Sequence, residues 1–167
     1  MSAVIKTTTP FTIKEVLFSA LATLGAEPVS VTAENINRFR QRSNVTIGDI
    51  ITNRRDYNGL QLFCFNGDVW QLQHDQDEYA TRIVSATQKQ YQSVSRFLNE
   101  LNVAYQGCYK VYLDNIAALE RQRIEQKRID RIAETRQLAI DKAKQQGYSV
   151  KEKHIRGKIQ LVLTRSV

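Results

Sequence analysis

Residues 113–146 read as one long polar helix, ended by Gly147, which can take the left-handed position that stops a helix. At ~1.5 Å per residue such a helix is roughly 50 Å long. A compact chain of this size has a radius of gyration of only ~15 Å. Part of the helix is therefore expected to project beyond the body of the protein. Its apolar stripe also shifts. Leu113, Ile116, Ala117 and Ile124 share one face, while Ile129, Ile132, Ala139, Ile140 and Ala143 fall about a third of a turn away on a 3.6-residue period. The two halves are expected to pack against different things.

The charge of the chain is concentrated in the same region. Of the formal net charge of +7, the segment from residue 110 to 158 supplies +6, with thirteen Lys/Arg against seven Asp/Glu. Residues 1–109 carry ten of each, and Arg165 supplies the rest. This pattern describes a neutral body that presents a basic surface. At 167 residues, 42% of them apolar, the chain is expected to be a single domain with a real core. Cys64 and Cys108 lie far apart with no Cys-x-x-Cys, which argues against a zinc ribbon. They are expected as free thiols in a reducing compartment. The N-terminus lacks the apolar core of a secretory signal, and no stretch reaches the ~20 apolar residues of a membrane span. A cytoplasmic or plastid-stromal protein is expected.

Local patterns place the remaining elements. Residues 3–9 read as a strand. Thr12 and Glu15 are spaced as a capping box, with Phe11 and Val16 as its hydrophobic staple. Ile13, Val16, Leu17, Ala20, Leu21 and Leu24 form the stripe of a helix over about 13–24, closed by Gly25 and Pro28. Val29, Val31, Val45, Ile47, Ile50 and Ile51 favour short strands. Between them, Arg38, Arg40 and Arg42 would share one side of an extended segment, as a solvated edge or as a strip for phosphate contacts. Asn66-Gly67 between two apolar runs predicts a hairpin, because both residues accept positive φ. The run His74 to Glu78 invites a metal site, but Asp75 as N-cap of a helix over about 76–102 accounts for it more simply. Tyr105, Tyr109 and Tyr112 around Gly107 suggest a helix–helix connection or a base-stacking platform. Tyr148–Ile155 and Lys158–Arg165 around Arg156-Gly157 predict a terminal hairpin, with Ile159, Leu161 and Leu163 on one face. The expected fold is α+β, a mostly antiparallel sheet with helices on one face and a long helical hairpin. The helix 13–24 and the C-terminal half of the long helix are expected to cover one sheet. Ile5, Leu17, Leu24, Phe63, Trp70, Ile140, Leu161 and Leu163 are expected to be buried.

Three blocks in order carry a family resemblance. The first is Ile5-Lys6-Thr7 and the helix ending Ala22-Thr23-Leu24-Gly25. The second is Phe65-Asn66-Gly67-Asp68-Val69-Trp70-Gln71-Leu72, followed by Gln88-Lys89-Gln90-Tyr91. The third is Ala143-Lys144-Gln145-Gln146-Gly147-Tyr148-Ser149-Val150, then Gly157-Lys158-Ile159-Gln160-Leu161-Val162-Leu163. Together they resemble the uncharacterised proteins of cyanobacteria and red-algal plastids called hypothetical chloroplast open reading frame thirty-five, a domain of unknown function. Residues 31–53 depart from the family pattern, and 93–131 reads as a helical insertion. The resemblance implies a small α+β domain in a photosynthetic lineage or a phage infecting one. Through gene neighbourhood it also implies an ATPase of the AAA class as a partner. It transfers no catalytic residue and no cofactor.

No Gly-rich phosphate loop, Gly-x-Ser-x-Gly or His-Glu-x-x-His occurs, and His74 and His154 are the only histidines, so no role-complete catalytic set is legible. Two functional readings follow. One is a non-enzymatic protein-interaction or assembly factor with a basic helical surface, with a homo-oligomer as one form of assembly. The other is an accessory protein for RNA or DNA. The candidate contact residues are Arg121, Arg123, Lys127, Arg128, Arg131, Arg38, Arg40, Arg42, Tyr105 and Tyr109. Glu120, Glu125, Asp130 and Glu134 are interspersed along the helix and weaken the nucleic-acid reading.

Overall fold

A computed structural model describes residues 3–39, 44–77, 92–165 and the backbone of 82–83. Its contacts divide the chain into two compact units, residues 1–114 and 115–167. The fold is α+β, as expected.

In the first unit, strand β1 (Val4–Thr8) precedes helix α1 (Lys14–Thr23). Strands β2 (Val29–Ser30), β3 (Ile50–Asp56), β4 (Gly59–Phe65), β5 (Trp70–Asp75) and β6 (Arg82–Ile83) follow. They form an antiparallel sheet in the order β1-β5-β4-β3-β2, with β6 also pairing with β3. Helix α2 (Val94–Gln145) begins in this unit and ends in the second.

Alternation along the strands divides the apolar residues between the two faces of the sheet. Ile50, Phe63, Trp70 and Leu72 join Val16, Leu17, Ala20 and Leu21 of α1 and Val94, Phe97, Leu101 and Tyr105 of α2 in the main core. Their strand neighbours Ile51 and Leu62 join Val31 in a smaller cluster, with Ile36, Phe39 and Val45 packed against it. The start of α2, rather than its C-terminal half, therefore completes this core. Ile5 is 38% exposed because it lies on the edge strand β1.

Helix α1 has the expected span but a different cap. Its N-cap is Ile13, and no neighbouring side chain caps it. The Tyr105 hydroxyl instead accepts from the amides of Thr12 and Ile13, at 3.2 and 3.1 Å. At the other end Gly25 has φ +67°. Ala26 N–H donates to Leu21 O and Gly25 N–H to Ala22 O, the paired bonds of a Schellman motif.

Other expectations are corrected. Arg82 and Ile83 are a strand on β3, so a helix does not run from 76 to 102. The proposed cap Asp75 ends β5, and Glu78 lies outside the described residues. No helical hairpin forms, because α2 runs through Gly107 without a break. Leu98, Leu101, Tyr105, Cys108 and Tyr112 continue one core-facing stripe across that glycine, which outweighs a helix-propensity cost of about 1 kcal/mol. At the β4–β5 hairpin only Gly67 takes positive φ. The Asn66 side chain accepts from the amides of Asp68 and Val69 and shapes a longer turn.

The second unit holds the rest of α2 and a hairpin of β7 (Tyr148–Ile155) and β8 (Lys158–Arg165). Arg156 and Gly157 both have positive φ, which suits a tight two-residue turn. The hairpin is a two-stranded sheet of its own. Leu163 is 50% exposed and Leu161 half-buried. Ile140 and Ala143 of α2 are the buried apolar side chains of this unit among the described residues.

Candidate interaction surface

The most elaborate polar arrangement in the first unit surrounds Arg54, which is 1% exposed. The β3–β4 register shifts between Ile51 and Arg55, and Arg54 lies within that irregularity. Its Nε donates to Gln61 Oε1 at 3.2 Å, and its two terminal nitrogens donate to Gln92 Oε1 and Gln92 O at 2.7 and 2.8 Å. The guanidinium lies 4.0 Å from the Phe97 ring centroid. Burial lowers its pKa to about 10, and nearby Glu100 opposes that shift. Gln92 Nε2 in turn donates to Glu100 Oε2 at 2.6 Å. The set ties β3, β4 and the start of α2 together, with the donors of Arg54 turned onto protein acceptors. It is a structural clamp that the sequence reading missed. Arg54 and Arg55 stand side by side in a polar strand end, and nothing local marks the first of them for burial.

The His74 region is also structural. His74 is buried, its Nδ1 donates to Asp75 O at 2.6 Å, and its Nε2 lies 2.7 Å from Thr7 Oγ1. Asp75 accepts from the amide and side chain of Asn58 in the β3–β4 turn. Among the described residues no group of three or more His, Cys, Asp or Glu side chains is placed to hold a metal. On the second sheet face, Lys6, Thr46, Asp49, Cys64, Gln71 and Gln73 line a cleft of about 480 Å³. Cys64 exchanges hydrogen bonds there with Gln71 O and the Gln73 amide. Among the described residues no hydrogen bond to a histidine or carboxylate activates it as a nucleophile. Cys64 and Cys108 are both free thiols.

The sequence-predicted contact residues are distributed unevenly. Arg38 is exposed but lies in a 3-10 turn, Ile36–Phe39, so the extended geometry expected of the arginine strip is absent there. Arg40 and Arg42 lie outside the described residues. Tyr105 is a core residue, its ring centroid 4.6 Å from that of Phe11 and its hydroxyl capping α1, which leaves no open ring face for a base. Tyr109 is 39% exposed, between the near-parallel rings of Tyr105 and Tyr112.

The residues of the basic helix are brought together. Every residue from 113 to 135 is exposed. Ile124, Lys127, Arg128, Arg131 and Ile132 line a shallow groove of about 340 Å³. On a 3.6-residue period Arg121 lies beside Arg128 on the same flank. Arg123 pairs with Glu120 at 2.9 Å and Arg128 with Glu125 at 3.6 Å. Among the described residues Arg121, Lys127 and Arg131 make no ion pair. The boundary between the units is also the boundary of the charge. Residues 1–114 contain eleven Lys/Arg and eleven Asp/Glu, and residues 115–167 contain thirteen and six, the whole net +7.

No protein family, curated protein or solved structure matches this chain in the comparisons made. Among the described residues no helix is long and apolar enough to cross a membrane.

Proposed function

We propose that this protein is a non-catalytic interaction or assembly factor, and that the exposed stretch of α2 is the surface it offers to a protein partner. One observation carries this reading. Large aliphatic side chains stand exposed among cations, with Ile124 at 59% and Ile132 at 55% on either side of Lys127, Arg128 and Arg131, of which only Arg128 is in an ion pair among the described residues. Phosphate contacts would use the cations and leave the isoleucines in water. An acidic amphipathic helix would use both, placing apolar side chains in the groove and carboxylates on its rim. A second copy of the chain is a poorer occupant, because each copy brings +7 on this unit.

The test is a nuclease-treated pull-down, followed by a binding titration against the purified partner it identifies. An ATPase of the AAA class, suggested by the family resemblance, is the first candidate. The variant R121E/K127E/R131E should weaken binding at least tenfold and leave Tm nearly unchanged, since exposed charge changes move stability by less than about 0.5 kcal/mol each. Unchanged affinity overturns the reading, as does a partner that is lost on nuclease digestion.

A further inference from the structure

The terminal hairpin has two chemically different faces. In an antiparallel pair, directly opposed residues lie on the same face. Tyr148↔Arg165, Val150↔Leu163, Glu152↔Leu161 and His154↔Ile159 make one face. Arg136 of α2 reaches Glu152 of that face at 3.7 Å, and Tyr148, Val150 and Leu161 are half-buried. Ser149↔Thr164, Lys151↔Val162, Lys153↔Gln160 and Ile155↔Lys158 make the other. On this second face Val162 is half-buried and every other residue is exposed. It holds three lysines and no carboxylate, because the hairpin's one acidic residue, Glu152, is on the opposite face. Arg156 adds a fourth cation at the turn.

We propose that this face is a binding surface for duplex DNA. Three physical arguments support it. The charge is of one sign and solvent-facing, so a polyanion gains counterion release by docking there. The spacing is regular: same-face residues on a strand repeat every ~6.8 Å, about two base-pair rises of B-form DNA. The shape also fits, since a two-stranded ribbon enters the B-form major groove, about 12 Å wide, whereas the A-form groove of duplex RNA is too narrow and deep for side chains to read. Gln160, opposite Lys153, is the one amide on the face and places a donor and an acceptor between the lysines. The face carries no aromatic ring, so it offers no stacking platform for single strands. This surface belongs to a different element from the docking face of α2, and the two proposals stand or fall separately.

The test is fluorescence anisotropy of the full chain with a mixed-sequence 25-base-pair DNA duplex across a salt series, using wild type and K151Q/K153Q/K158Q. Each phosphate contact contributes about −0.9 to the slope of log affinity against log salt. The variant should therefore flatten the slope by about 2.7 and lose on the order of 10²-fold in affinity at 0.1 M salt. K151R/K153R/K158R keeps the charge and should keep the slope. Circular dichroism of each variant must match wild type; if the glutamine variant loses its strand signal, K151Q and K153Q singly should each flatten the slope by about 0.9. The proposal is overturned if wild type fails to bind at 50 mM salt, or if the glutamine variant binds with an unchanged slope. Equal binding of single-stranded DNA, duplex RNA or anionic phosphatidylserine vesicles, lost in the same variant, would also overturn it, since the surface would then be a general anion contact.

Discussion

Tyr105→Phe removes one oxygen atom and tests how the first unit is assembled. The Tyr105 hydroxyl accepts two amides at the start of α1, and its ring lies against Phe11 in the core. Phenylalanine keeps the ring and deletes the acceptor. A net hydrogen bond is worth about 0.5–1.5 kcal/mol, and the hydroxyl makes two of them to the residues that lead into α1. Thr12 is exposed, so water can replace that half of the cap, while Ile13 is half-buried and is compensated less well. The expected loss is about 1–2 kcal/mol, a fall in Tm of roughly 2–8 °C for a protein of this size. Urea denaturation should show the change in midpoint without a change in m-value. Amide exchange should speed up at Thr12 and Ile13 more than along the rest of α1. Tyr105→Ala supplies the scale, since losing the ring as well should cost about 3–5 kcal/mol. A Tyr105→Phe protein with wild-type Tm and unchanged exchange at those two amides would show that the cap contributes nothing, and that α1 is held by packing alone.

Two further predictions concern charge and autonomy. The Arg96 hydrogen bond holds the Glu100 carboxyl below its ordinary value of 4.5, against the opposing effect of burial and with further help from the Gln92 hydrogen bond; its contribution to stability is therefore present above pH 4.5 and is lost as pH falls through the lowered value, and carboxyl NMR should place its midpoint below 4.5 and show it rising in Arg96→Ala. A fragment of residues 1–114 should unfold cooperatively with a Tm close to that of the full chain, because both apolar clusters lie within it; a fragment with no thermal transition would mean that residues 115–167 complete the core.

What the sequence revealed and what it hid follow from the range of the interactions involved. The stripe from Val16 to Leu24 predicts α1, and the Schellman bonds at Gly25 are local consequences of that glycine. The cap at the other end was misread, because Thr12 and Glu15 have the spacing of a capping box while the acceptor that is used lies 93 residues away. The terminal hairpin was read to the residue, since Arg156-Gly157 sets its register. Its separation from the main sheet was not, because alternating Ile159, Leu161 and Leu163 look the same whether they meet a core or water. Strand β3 was poorly legible for the opposite reason. Asn53, Arg54 and Asp56 are buried through partners on other elements, Gly25 O, Gln92 and the Asp75 amide among them. The exposure of the charged stretch of α2 is legible in the sequence, because a run of charges on one helix is a local property. The strip Arg38, Arg40 and Arg42 failed as a geometric argument once Arg38 proved to lie in a 3-10 turn.

Helix α2 leaves its charged stretch in solvent. From Val94 to Tyr112 its apolar side chains are tied into the core, and near its end Ile140 and Ala143 are buried again. Between them no residue from 113 to 135 is buried, so tertiary packing does not dictate the sequence there. What sustains the helix is local: ion pairs Glu120–Arg123 and Glu125–Arg128, and the Gln126 amide donating to Asp130 at 2.8 Å. Each such pair is worth about 0.2–0.5 kcal/mol, and Glu120, Glu125 and Asp130 are engaged in them. Arg121, Lys127 and Arg131 take no part in these pairs, and a helix held by its neighbours' contacts does not need them. Cations and isoleucines that neither fold the chain nor pair within it are the groups a partner can bind without first breaking an existing contact.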